Sequence, residues 1–244
     1  MSVYNYWNDI TIEKQKAFWI ENEQDPKLQR FLREDTNLER CFQDALKFAE
    51  HFGGIRGKVL DVGAGVAWTS AIVSRDSGVD KITAIDFSKH RLEQIAPMVF
   101  KQYSGRIDKI EFIVGDFKDH EWPTASFDIV IFCQSLYHFP DLRGVLKKIQ
   151  RILCPGGIVI VACERIFVDM GHPFLSLNFY KRNWGRLWGK RADSSGNYFR
   201  GDNEYCQAIK GAGLDYQFQA LDYPVYKGGP FWSAGNYFGI KYER

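Results

Sequence analysis

Asp61, Gly63 and Gly65 stand in the stretch VLDVGAGVAWTS, residues 59–70. Val59 and Leu60 close a short apolar run that reads as a buried strand. Asp61 then puts a carboxylate at that strand's C-terminal end. The two glycines lack a Cβ, so a bound molecule can approach the backbone closely. Residues 67–73 read as the start of a helix, whose first N–H groups favour a negatively charged group. Strand, glycine turn and helix together make a cofactor-binding device at the carboxyl edge of an α/β sheet. A second carboxylate, Asp86, ends the next strand, 21 residues beyond Gly65. There it can accept both hydrogens of a ribose diol. The competing reading is a helix N-terminal acid with Ser88 as the cap. His138 follows a later apolar run. A histidine there can take the proton of an alcohol or phenol near neutral pH, and a structural place at the strand end is the competing reading.

The dinucleotide fingerprint G-x-G-x-x-G would need a third glycine where this chain has Trp68. The stretch instead resembles motif I of the class I S-adenosylmethionine (SAM) methyltransferases, an acid followed by G-x-G-x-G. Asp61, Gly63 and Gly65 match it, and Ala67 stands where the third glycine is usual. Asp86 then resembles the motif II acid, with Phe87 beside it. Gly115-Asp116-Phe117 resembles motif III. The resemblance implies that Asp116 accepts from the adenine amino group and that the next backbone N–H meets the ring, with the Phe117 side chain also against adenine, while a plain Asp turn is the competing reading. FDIVIFCQSLYHFPD, residues 127–141, resembles motif IV of the small-molecule branch, the ubiquinone- and menaquinone-type enzymes. It implies Gln134 at the cofactor, Tyr137 at the acceptor and His138 as the catalytic base. Leu153-Cys154-Pro155-Gly156-Gly157 resembles the family's L-x-P-G-G turn, whose role is structural. Glu164 should lie on the pocket rim, either binding substrate or solvated. The [DN]-P-P-[YF] tetrad of base methyltransferases is absent, and no Pro-Cys nucleophile precedes residue 134.

These motifs need a sheet to hold them. Apolar runs at 58–62, 81–86, 109–114, 127–133 and 157–163 alternate with helical stretches at 88–101 and 141–153. Near-continuous apolar strands between helices predict a doubly wound, Rossmann-like parallel sheet. A helix at 202–211 and late strands at 214–222 and 236–243 would complete seven strands, the last antiparallel. Residues 1–56 read as an N-terminal helical cap, with helices at 11–23 and from Thr36 to about His51. Thr36 and Glu39 have capping-box spacing. The SAM-binding core is 57–164, a lid-like insertion 165–201, and the C-terminal helix and strand pair 202–244, all one domain. In the cap, Tyr6 and Trp7 are candidate substrate contacts or simply packed aromatics.

The 244 residues carry 45% hydrophobic and 25% charged residues and a net charge of +2, ordinary globular values that favour no nucleic-acid partner. Five scattered cysteines without a C-x-x-C pair read as reduced thiols of a cytoplasmic protein. No leader, membrane span or converging set of metal ligands is evident. The insertion 171–191 carries five basic residues and no acid. On a helical wheel Leu177, Tyr180, Trp184, Leu187 and Trp188 share one face. It reads as a lid with Trp184 on the acceptor, as a helix resting on a membrane surface, or as a solvated helix. The resemblance implies methyl transfer from SAM to a small molecule, chiefly to oxygen on an aromatic or sugar-like acceptor. A ligand-binding protein without turnover and an RNA methyltransferase are the other readings. The sequence assigns no oligomeric state.

Overall fold

The computed structural model describes residues 27–164, 200–225 and 235–242. Helix α1, Lys27–Arg30, runs into a wider turn, Phe31–Asp35. Helix α2, Leu38–Ala49, follows and buries Leu38, Cys41, Phe42, Ala45 and Ala49 along one stripe. That i, i+3, i+4, i+7 spacing is the apolar face of a helix on a core. The expected capping box does not form. The Thr36 hydroxyl donates to the Phe31 carbonyl at 2.6 Å. The Glu39 carboxylate accepts instead from Arg33 and the Tyr103 hydroxyl, each at 2.8 Å. The preceding turn offers Thr36 a nearer acceptor, and long-range donors claim Glu39. Gly53, at φ +97°, ends this segment, as its residue type predicts.

Strands β1, Gly57–Val62, β2, Val79–Asp86, and β3, Ile110–Val114, are joined by α3, Trp68–Val73, and α4, Ala96–Gln102. Strand β4, Phe127–Cys133, leads to α5, Leu142–Ile152, and to β5, Leu153–Ala162. Helix α6, Asp202–Gly211, and strands β6, Asp215–Ala220, and β7, Gly235–Ile240, close the fold. The sheet order is β3-β2-β1-β4-β5-β7-β6, with β7 antiparallel to both neighbours. The doubly wound expectation is met, including the antiparallel last strand. The sequence reading started β2 two residues late, β5 four residues late, and ran β6 and β7 past their ends.

Alternate strand residues feed two cores. Val59, Ile129, Ile131, Ile158 and Ile160 pack with Phe42, Ala71 and Phe100 on one face. Leu60, Val62, Val130, Phe132, Val159 and Val161 pack with Leu146, Ile149 and Ile209 on the other. Burial on both faces is why these strands read as continuous apolar runs. The chain winds outward from β1 to β3, then returns to β4 on the other side of β1. Such a reversal opens a crevice at the carboxyl ends of the central strands. The first cap helix, most of the insertion with Trp184, and Tyr6 and Trp7 lie outside the described residues. Among the described residues no helix is long and apolar enough to cross a membrane.

Candidate active site

The glycine loop leaves β1 and crosses to β2. Gly63 sits at φ +68°, where L side chains are strained, and its N–H donates to Ile85 at 2.9 Å. A Cβ here would lie 2.6 Å from the Ser135 Cβ. Gly65, at φ +59°, faces more open space: only the Arg91 Nη1 comes within 4 Å of a built Cβ, at 3.7 Å. Ala67, the departure from the glycine pattern, also takes a left-handed φ of +56°. Its backbone therefore has the conformation a third glycine would supply, at a cost of roughly 1–2 kcal/mol.

Asp61 does not face the crevice. It is 1% exposed and accepts from the Thr69 and Ser70 hydroxyls at 2.6 Å each. Burial pushes its carboxyl up, and the two hydroxyls oppose that shift. The residue ties β1 to the first turn of α3. Asp86 lies where the spacing placed it, at the end of β2. Its Oδ2 accepts from the Gly65 N–H at 2.9 Å and its Oδ1 from the Ser88 N–H at 2.8 Å. A carboxylate offers about four lone-pair sites, so each oxygen keeps capacity for one hydroxyl of a diol. The helix N-terminal reading of this stretch is seen directly, since Ser88 also accepts from the Arg91 N–H at 3.4 Å. Phe87 beside it is half-buried. Sequence reasoning missed Arg91, one turn into the following helix. Burial pulls its guanidinium down, while the Asp86 carboxylate and then Tyr137 hold it up.

Beyond β3, Asp116 makes the tight turn its type favours. Its Oδ1 accepts from the Lys118 N–H at 2.9 Å, and its Oδ2 pairs with the Lys118 ammonium at 3.3 Å. Phe117 corrects the expectation of a ring lying on adenine. It is 3% exposed and packs against Trp122, Phe132 and Phe139. Lys148 of α5 staples this loop from below, donating to the carbonyls of Phe117, Lys118 and His120 at 2.7–3.0 Å. Lys148→Met keeps the apolar stem and removes the three bonds. With the group only half-buried, the expected loss is about 1 kcal/mol, read as a melting temperature lower by roughly 2–4 °C. An unshifted melting temperature would leave the staple without weight.

The third wall is the turn after β4. Gln134 takes φ +55° and its N–H donates to Ala162 at 3.2 Å. The Ser135 hydroxyl donates to the Val62 carbonyl at 2.6 Å, joining this turn to the glycine loop. Leu136–His138 forms one tight helical turn, with the Tyr137 and His138 rings 4.3 Å apart. Tyr137 is buried and His138 half-buried. Glu164 is neither a rim acid nor solvated. It is 1% exposed and accepts from the N–H groups of Ser135, Leu136 and Tyr137 at 2.9–3.0 Å. The Tyr205 hydroxyl donates to it at 3.2 Å. Burial pushes its carboxyl up to about 7, against the pull of those four donors. The left-handed bend at Cys163, φ +59°, turns Glu164 beneath the loop. Arg200, ahead of α6, holds the far side by donating to the Phe139 and Pro140 carbonyls. Among the described residues no cluster of three or more His, Cys, Asp or Glu side chains could hold a metal ion.

Residues 60–161 match the methyltransferase domain family. The match takes in less than half of the chain and makes these residues similar to a methyltransferase domain. A sterol 24-C-methyltransferase of Gibberella zeae is 35% identical over 101 residues, 41% of this chain and 26% of that protein. A demethylmenaquinone methyltransferase of Staphylococcus epidermidis is 35% identical over 104 residues, 42% of this chain and 41% of that protein. The chain thus spans less than half the length of these relatives. The solved phosphoethanolamine N-methyltransferase 2 of Haemonchus contortus superposes with a TM-score of 0.65 at 16% identity. That alignment covers 100% of this chain and 61% of the neighbour, and it shows a shared fold. SAM is the cofactor of the methyltransferase domain, and the residues present fit it. The glycine loop would let the methionyl part approach the backbone, and the Asp86 carboxylate would be the group to hold the ribose.

Proposed function

We propose that this chain transfers a methyl group from SAM to a small-molecule acceptor, an oxygen nucleophile on an aromatic or sugar-like compound. One observation carries the reading. The glycine loop, Asp86 and the turn bearing His138 meet at the carboxyl ends of β1, β2 and β4, and Ser135 bonds the turn to β1. SAM supplies a methyl on a sulfonium, which the acceptor displaces in line. Asp86 would hold the ribose diol, and the Asp116 turn would meet the adenine. Gln134 would border the cofactor, with Tyr137 beside the acceptor. His138 would take the proton from the acceptor hydroxyl as the oxygen attacks. Holding the acceptor collinear with the methyl and excluding water are the other tasks of this chain. The names of the two relatives support a small-molecule acceptor, and the sterol relative's name puts a carbon acceptor second.

The test is calorimetric titration of the full chain with SAM and, separately, with NAD. Micromolar binding of SAM and none of NAD is the expected result. A screen of phenols, quinols, sterols and sugars with labelled SAM then identifies the acceptor. Absence of SAM binding by the folded chain overturns the reading. Binding with no transfer to any acceptor favours a ligand-binding role.

A further inference from the structure

The turn between Ser135 and His138 has to keep a fixed station for His138 to serve an acceptor, yet its own backbone is poorly equipped to do so. Its internal bonds are few: His138 N–H to Ser135 and Phe139 N–H to Leu136, both at 3.1 Å. Three successive N–H groups, at 135, 136 and 137, point away from the crevice into the interior. Buried amides without acceptors cost about 1–3 kcal/mol each. All three converge on one carboxylate, that of Glu164.

We propose that Glu164 is the positioning residue of this site, its buried carboxylate pinning the turn 135–138 so that His138 and Gln134 keep their places beside the glycine loop. The inference rests on the methyl-transfer reading. Four donors meet at Glu164, and only an ionised carboxylate is acceptor-only on both oxygens. A glutamine would turn an N–H₂ group toward the Tyr137 N–H or the Tyr205 hydroxyl. Tyr205 is itself immobile: it is 0% exposed and stacks on Tyr237 with ring centroids 5.0 Å apart. Successive N–H groups closing on an anion make a rigid cradle. The pin also reaches the glycine loop, because the Ser135 Cβ would lie only 2.6 Å from a Cβ built on Gly63. If Ser135 moved, both the Val62 bond and that packing would go with it.

The experiment compares full-length wild type, Glu164→Gln and Tyr205→Phe by amide hydrogen exchange and by calorimetric titration with S-adenosylhomocysteine. For Glu164→Gln, the amides of Ser135, Leu136 and Tyr137 are expected to exchange at least about tenfold faster, with β4 and β5 still protected. The S-adenosylhomocysteine Kd should rise about tenfold, corresponding to roughly 1.4 kcal/mol. Tyr205→Phe leaves the three amide bonds in place and should raise it about threefold, in line with one lost neutral bond. It also keeps the proposal decidable should Glu164→Gln fail to fold. With an acceptor from the screen, Glu164→Gln should lower kcat by about a hundredfold, since a misplacement near 1 Å has that effect, while the acceptor KM stays within about threefold. Turn amides that stay protected overturn the proposal. So does a loosened turn with unchanged affinity and unchanged kcat, which makes Glu164 a purely structural residue. Wild type that binds no S-adenosylhomocysteine overturns the methyl-transfer reading itself, whatever the exchange data show.

Discussion

Gly63→Ala is expected to lower stability by about 2–5 kcal/mol and to abolish measurable SAM binding. Two independent causes add. The left-handed φ of +68° costs an alanine roughly 1–2 kcal/mol. The new methyl would lie 2.6 Å from the Ser135 Cβ, with the Ser135 Oγ at 3.3 Å. Ser135 cannot yield easily, since it is 4% exposed and bonded to Val62 and Glu164. Forcing a methylene into such packing typically costs a further 1–3 kcal/mol. Urea unfolding measures the loss as a lower midpoint at unchanged slope. Gly65→Ala is the control. It shares the strained backbone but meets only the Arg91 side chain at 3.7 Å, so roughly 1–2 kcal/mol is expected. Equal losses at the two positions would show that the contact with Ser135 contributes nothing.

Asp86→Ala is expected to weaken SAM binding by about tenfold or more. The missing charge-assisted bonds to the ribose correspond to roughly 1.5–3 kcal/mol. The same substitution deprives the Gly65 and Ser88 N–H groups of their acceptor. A stability loss of about 1–3 kcal/mol per buried orphan accompanies it. Calorimetry on the folded variant separates the two effects, since thermal unfolding without ligand reports only the second. Unchanged SAM affinity in a folded Asp86→Ala protein would defeat the ribose assignment, leaving Asp86 as a loop-to-strand tie alone.

The fold was legible because its signals are local. Apolar runs of strand length and the glycines at 63 and 65 require no knowledge of distant partners. Neither does the interval of 21 residues from Gly65 to Asp86, which the structure resolves into a direct hydrogen bond. Ala67 was read as the first helical residue, whereas its backbone is left-handed and the helix starts at Trp68. What failed was the assignment of polar and aromatic side chains to faces. Thr36 and Glu39 have the spacing of a capping box, yet Tyr103, 64 residues away from Glu39, claims that carboxylate. The Phe117 ring follows a motif that suits a ligand contact, yet Trp122, Phe132 and Phe139 enclose that ring, which leaves only its side-chain placement misread.

The sequence by itself determined the order of strands and helices, the glycine loop, and the edge of the sheet at which a cofactor would sit. Only the tertiary structure decided which donors each carboxylate meets. Asp61 and Glu164 both follow apolar strand runs, as Asp86 does, and nothing in their neighbours distinguishes the three. Asp86, also buried at 4% exposed, accepts from the Gly65 and Ser88 N–H groups on either side of β2's end. Glu164 turns inward to donors 27 to 41 residues away. Asp61 is taken by hydroxyls on the next helix. The reason is physical: periodicity reports which residues are removed from water, whereas a buried carboxylate goes wherever donors converge, and chain crossings far apart in sequence determine that convergence.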